Sequence, residues 1–194
     1  MIIDISQEVF SCRVFPGDPQ PVATRVNSIE NGDSYNLTNI SMCAHNGTHI
    51  DAPYHFLNDG KTIDKIGLAP FVGDCYVARR EGALTSDDVI DIMETARAAD
   101  ASKRILIAGN VIVTADAARA FAQSGVLLVG IESQSFGPEN APKEVHLILL
   151  GADIVLLEGA VLDSVTEGRY FLSAAPLDLG DCDGAPCRAY LISN

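Results

Sequence analysis

The chain has 194 residues, 47% hydrophobic and 20% charged, with a formal net charge of −13. Such a chain is expected to form one soluble domain over residues 1–194, large enough to bury a core without disulfides. The acidic balance excludes nucleic acid and anionic membrane surfaces as partners, and no apolar run reaches the ~18 residues of a membrane span. No basic N-terminal segment leads into an apolar run, so no signal peptide is expected. Cys12, Cys43, Cys75, Cys182 and Cys187 form no CxxC pair, which predicts free thiols in a cytoplasmic protein.

In chain order, Ile2–Ile5 reads as an opening strand, and Phe15-Pro16-Gly17-Asp18-Pro19 as an ordered turn with an aromatic side chain at its front. Val22–Ile29 and Tyr35–Met42 read as strands joined by a hairpin turn at Glu30-Asn31-Gly32-Asp33. Asn58–Lys61 is a further turn, and Phe71–Arg79 a strand. Thr85-Ser86-Asp87-Asp88 offers hydroxyls and carboxylates to cap a helix whose apolar face begins Val89, Ile90, Met93. Arg104–Ala108 is a short buried strand. Thr114 opens a second helix, stopped at Ser124-Gly125. Val126–Ile131 is nearly all apolar, as in a strand covered on both faces. A third helix is expected over Pro142–Leu150, then a covered strand Asp153–Leu157 with Glu158 at its end. Pro176–Leu179 and Arg188–Ile192 read as closing strands. The pattern is α/β: a mixed sheet flanked by helices.

The chemistry concentrates in His45-Asn46-Gly47-Thr48-His49-Ile50-Asp51-Ala52-Pro53-Tyr54-His55-Phe56, which holds three of the four histidines. His45, His49 and Asp51 share a parity, so an extended chain turns all three the same way, whereas a helix would separate Asp51 from the others. Asn46-Gly47 disfavours helix, and Thr48 and Ile50 favour strand. Pro53 ends regular pairing and leaves His55 at the rim. His146 falls on the third helix, and Glu158 follows an apolar run, where a buried carboxylate needs a partner or a metal. A lone histidine such as His146 is ordinarily structural, and Glu158 alone is no more telling; the trio is the stronger signal. Together these side chains offer three nitrogens and two carboxylates without a thiolate, a set for Zn²⁺ or Mn²⁺ rather than a structural zinc site. Asp51 could bridge two cations, one held with His45 and His49, the other with His146 and Glu158. In Asp181-Cys182-Asp183-Gly184, a turn is preferred to a cation loop.

The histidine stretch resembles the HxGTHxDxPxH signature of the metal-dependent cyclase family, most closely its bacterial kynurenine formamidase (arylformamidase) branch. Asp4-Ile5-Ser6 resembles the family's opening, Phe15-Pro16-Gly17-Asp18 its PGD loop, Gly130-Ile131-Glu132-Ser133 its later GID-type strand and Asp183-Gly184-Ala185-Pro186-Cys187-Arg188 its closing DGxPxR, so the likeness runs over nearly the whole chain. It implies a swivelling β/β/α domain that forms homodimers or larger assemblies. It also implies two divalent metal ions, Zn²⁺ before Mn²⁺, held by His45, His49, Asp51, His146 and Glu158. His55 would be the general acid/base, and Phe15 would face a small-molecule substrate. The reaction implied is hydrolysis of N-formylkynurenine to kynurenine and formate.

The sequence departs from the family in three places. Phe15 stands where the formamidases carry Trp, Glu132 replaces the commoner Asp, and Ala108-Gly109-Asn110 replaces an Arg-Thr pair after the middle strand. These changes leave the metal chemistry intact and bear on substrate identity. Two alternatives therefore stand beside the formamidase: a family hydrolase acting on a cyclic amide such as isatin or on a lactone, and a non-catalytic metal-binding protein.

Overall fold

The computed structural model describes residues 1–193. Its strands are β1 (Ile2–Asp4), β2 (Val22–Asn27), β3 (Leu37–Ser41), β4 (His49–Asp51), β5 (Val72–Arg79), β6 (Gly82–Leu84), β7 (Arg104–Ala108), β8 (Val111–Val113), β9 (Leu128–Ile131), β10 (Val155–Glu158), β11 (Gly168–Ser173), β12 (Gly184–Pro186) and β13 (Tyr190–Ile192). The α-helices are α1 (Ser86–Ala98), α2 (Ala115–Ser124) and α3 (Lys143–Gly151). Nine strands form one mixed sheet in the order β1-β13-β11-β5-β7-β9-β10-β4-β12. Its centre, β5-β7-β9-β10, is parallel, and both flanks are antiparallel.

Alternation along the central strands serves two cores. Ile105, Ile107, Val129, Ile131 and Leu156 face the helices, meeting Val89, Ile92, Phe121 and Leu149. Leu106, Ala108, Leu128, Val155 and Leu157 face a second core, closed by Ile50, Leu172, Ala185 and Leu191 from the flanking strands. The sheet therefore curls over its own inner face, and its central strands read as unbroken apolar runs because each is covered twice.

Helices α1 and α2 begin on the caps the sequence offers, and α2 ends on its glycine. Thr85 and Asp88 form a reciprocal cap on α1, with the Asp88 amide donating to the Thr85 hydroxyl at 3.2 Å and the Thr85 amide to the Asp88 carboxylate at 2.8 Å. Thr114 caps α2, and Gly125 ends it in the left-handed region at φ 78°. Ile90 does not join the apolar face of α1: it is exposed, and Val89, Ile92, Met93 and Ala96 make the stripe at i, i+3, i+4, i+7.

One further expectation changes. Pro176–Leu179 is not a strand and makes only an isolated bridge between Pro176 and Cys187. The strand of that region is β11, whose Tyr170 and Leu172 point inward while Arg169 and Phe171 face out. The short parallel pair β6–β8 was also not foreseen. The β2–β3 ribbon forms as expected but leaves Val22, Val26, Leu37 and Ile40 exposed. Among the described residues, no helix is long and apolar enough to cross a membrane.

Candidate metal centre and active site

The site lies where β4 enters the sheet between β10 and β12. Register sets Glu158 of β10 opposite His49, and Asp51 opposite Leu156 on one side and Gly184 on the other. His49, Asp51 and Glu158 thus share the helix-facing side of the sheet, while Ile50 and Leu157 point into the inner core. From above, α3 lowers His146 onto the same spot: its Nε2 lies 3.3 Å from Glu158 Oε1 and 3.7 Å from Asp51 Oδ2. The His146 ring is held by stacking on Phe56, with centroids 4.4 Å apart.

His45 arrives differently from the expectation. The extended segment covers only His49–Asp51. The chain before it turns, because Asn46 Oδ1 accepts the Cys43 amide at 2.8 Å and Gly47 takes φ 69°. The turn still delivers His45 Nδ1 to 2.8 Å from Asp51 Oδ1. His55 sits in the 3₁₀ turn Pro53–His55, and its ring lies 4.0 Å from that of His45.

All five expected ligands therefore converge, and Asp51 is their common member. Two overlapping donor sets surround it, His45/Asp51/His55 and His49/Asp51/Glu158, each with ligand atoms within 4.8 Å of one another. The expected division paired His45 with His49 instead; the geometry additionally brings His55 beside His45.

The residues fit a divalent cation on three counts. First, His49 Nε2 and Asp51 Oδ2 are buried without a hydrogen-bond partner, an expensive state unless something else binds them. Second, His49 Nδ1–H donates to Gly47 O at 3.0 Å and His146 Nδ1–H to Pro142 O at 2.8 Å, which turns each Nε2 toward the carboxylates. A backbone acceptor behind the ring is the usual support of a metal-binding imidazole. Third, tetrahedral ligands roughly 2.0–2.2 Å from Zn²⁺ stand about 3.3–3.6 Å apart. Here His49 Nε2 lies 3.4 Å from Asp51 Oδ1 and 3.2 Å from Glu158 Oε2.

The electrostatics agree with that fit. Burial opposes charge on His45, but the Asp183 and Asp51 carboxylates outweigh it and raise its pKa to about 10. His49, opposed by burial in the same way, is raised to about 10 by Asp51 and Glu158. His146 is also raised, Glu158 overcoming its burial. Burial works against the Asp51 charge too, yet His45 and His49 hold its carboxyl well below the usual range. The carboxylates thus call for positive charge at their centre, from protons or from a metal.

Sequence reasoning missed three supports. Asp183, read as a turn residue, places Oδ2 2.8 Å from His45 Nε2 and 3.0 Å from His55 Nδ1. The hydroxyl of Thr48 donates to Gly159 O at 2.6 Å and accepts the Gln7 amide at 2.9 Å. The Gln134 side chain donates to Gly47 O at 3.1 Å. Asp183 carried a signal as the first residue of the closing Asp183–Arg188 motif, and Thr48 as part of the histidine signature. Glu132 is a staple between strand ends, accepting the amides of Gly109 and Leu162 at 2.6 and 2.8 Å.

Phe15 lines a cleft of about 550 Å³ with Arg13, Asn110, Val111, Ser133 and Gln134. No histidine is among the lining residues; the link to the metal centre runs through Gln134 and its bond to Gly47.

The family model described as Putative cyclase matches residues 3–138. The chain belongs to the cyclase family. It is 32% identical over 204 residues to the kynurenine formamidase of Erythrobacter litoralis (strain HTCC2594), covering 98% of this chain and 93% of that one. It is 36% identical over 203 residues to the kynurenine formamidase of Geobacillus thermodenitrificans (strain NG80-2), covering 97% and 96%. A solved structure described as a potential metal-dependent hydrolase with cyclase activity superposes with TM-score 0.82 at 29% identity, covering 98% of this chain and 96% of that one. Isatin hydrolase A from Labrenzia aggregata shares the fold with TM-score 0.84 at 21% identity, over 100% and 94% of the two chains. These relatives place the chain among hydrolases.

Proposed function

We propose that the protein hydrolyses the formamide bond of an N-formylated aniline, with N-formylkynurenine as the leading substrate. The observation that carries the proposal is the convergence of His45, His49, Asp51, His146 and Glu158, with His49 Nε2 and Asp51 Oδ2 left without hydrogen-bond partners at its centre and His55 alongside. The full-length similarity to kynurenine formamidases supports the choice of bond.

In this reading, His45, His49, Asp51, His146 and Glu158 would together hold two divalent cations, Zn²⁺ before Mn²⁺. A divalent cation in such ligands acidifies water and polarises a carbonyl oxygen. The protein's own part is orientation and proton handling. His49 and His146 are fixed by backbone acceptors, so their ligating nitrogens need no reorganisation. His55, with its side chain 27% exposed, can meet substrate, take a proton as water attacks, and return it to the departing aniline nitrogen. Phe15 offers a flat face for the substrate ring at the cleft. The reading includes self-association, since an isolated ribbon like β2–β3 is marginal in water. Sedimentation velocity should then give a mass above the 20.6 kDa of one chain.

A cyclic amide is the second reading, favoured by Phe15 in place of Trp. Turnover of N-formylkynurenine and of isatin, measured side by side on metal-loaded protein, decides between them. Formylkynurenine should be hydrolysed with the larger kcat/KM; a larger value for isatin overturns the proposal.

A further inference from the structure

We propose that Asp183 is a positioning residue for His55, holding its ring in one orientation and one tautomer through Nδ1. The inference rests on the reading of His55 as the proton-transferring group.

Three imidazoles of the site, those of His49, His146 and His55, set Nδ1 against an acceptor, while His45 turns Nδ1 to Asp51 and Nε2 to Asp183. His49 and His146 use backbone carbonyls, Gly47 O and Pro142 O. His55 uses a carboxylate: its Nδ1 lies 3.0 Å from Asp183 Oδ2, and its Nε2 has no hydrogen-bond partner among the described residues. A carboxylate that accepts Nδ1–H fixes both the plane and the tautomer of the ring. With Nδ1–H donated to Asp183, Nε2 is left as the basic nitrogen.

Asp183 is itself well placed. Its carbonyl accepts the Ala52 amide at 2.9 Å, tying it to the end of β4. Its Oδ2 also lies 2.8 Å from His45 Nε2, so one oxygen joins the proton-transferring ring to a proposed ligand. The closing motif places this carboxylate one residue before Gly184, where an added Cβ would sit 2.6 Å from Ile50 O and 2.9 Å from His45 Cε1. The close approach of the chain there is what brings Asp183 within reach of both rings.

The competing role is purely structural, acting through His45 on the metal. A double-mutant cycle separates the two. Asp183→Asn should lower kcat on N-formylkynurenine by about 10²-fold, the usual scale of one acid/base contribution, with KM and bound metal close to wild type. In a His55→Ala background the same change should lower kcat by less than about 2-fold, because residues acting as a unit are not additive. Asp183→Glu, which keeps a carboxylate, should recover part of the loss. A full loss in the His55→Ala background, or metal lost in Asp183→Asn, overturns the proposal. ¹⁵N-histidine NMR reads the pairing without turnover. His55 should carry its proton on Nδ1 in the wild type and shift toward Nε2 in Asp183→Asn; a wild-type proton on Nε2 overturns the proposal. Absence of wild-type turnover would count against the hydrolytic reading instead, with NMR still deciding the pairing.

Discussion

Asp51→Asn preserves shape and removes one charge at the centre of the site. Asp51 is 0% exposed, and its Oδ1 lies 2.8 Å from His45 Nδ1 and 3.4 Å from His49 Nε2. Removing one partner of a buried ion pair typically costs about 3–5 kcal/mol, because the other charge is left alone. Here neither imidazole is abandoned: His45 keeps Asp183 at 2.8 Å and His49 keeps Glu158 at 3.2 Å. The lower end applies, about 3 kcal/mol, which at about 2–4 °C per kcal/mol for a chain of this size lowers the Tm by about 6–12 °C. Differential scanning calorimetry of metal-stripped protein measures it. Added Zn²⁺ should then raise the wild-type Tm, by about 2.7 kcal/mol of stability at a hundredfold excess over Kd, and leave Asp51→Asn unmoved. A variant that melts within 2 °C of wild type, or that keeps its response to metal, would refute the bridging role.

The other predictions concern separate parts of the fold. Phe15→Ala should raise KM for an aromatic formamide about 2–12-fold, the equivalent of about 0.5–1.5 kcal/mol of ring contact, with kcat and metal content unchanged; steady-state kinetics checks it. Gly184→Ala forces a Cβ against Ile50 O and His45 Cε1, so β12 must shift from β4 and activity should fall with metal content, as elemental analysis would show. Thr85→Ala should cost about 1 kcal/mol through loss of the α1 cap and leave turnover alone. That cap also has a pH signature. The Asp88 carboxyl is held below its ordinary 3.8, first by the Thr85 hydroxyl, so its contribution is present above that value and lost as pH falls below it. The melting curves of Thr85→Ala and wild type should accordingly converge in acid.

Legibility followed how local each cause was. Caps at Thr85 and Thr114, the stop at Gly125 and the doubly covered strands β7, β9 and β10 stood in the sequence because a few adjacent residues determine them. β11 was missed because its pattern is broken by exposed Phe171, and its place is set by pairing with β5 almost a hundred residues earlier. Parity correctly aligned His49 and Asp51, but His45 reaches Asp51 through a turn at Asn46-Gly47 that parity cannot describe. Spacing had little to say about His146 and Glu158; cross-strand register and the seat of α3 join them to the motif. Asp183 shows the same limit, since its role depends on β12 lying beside β4.

The central claim is that this constellation is a metal-dependent formamidase site. The measurement that tests it most directly is hydrolysis of N-formylkynurenine by purified protein before chelation, after chelation, and after Zn²⁺ or Mn²⁺ is added back, with bound metal counted in each state. The account predicts turnover that disappears on chelation and returns with metal. Turnover that survives complete metal removal, or none with metal bound at the site, would contradict it.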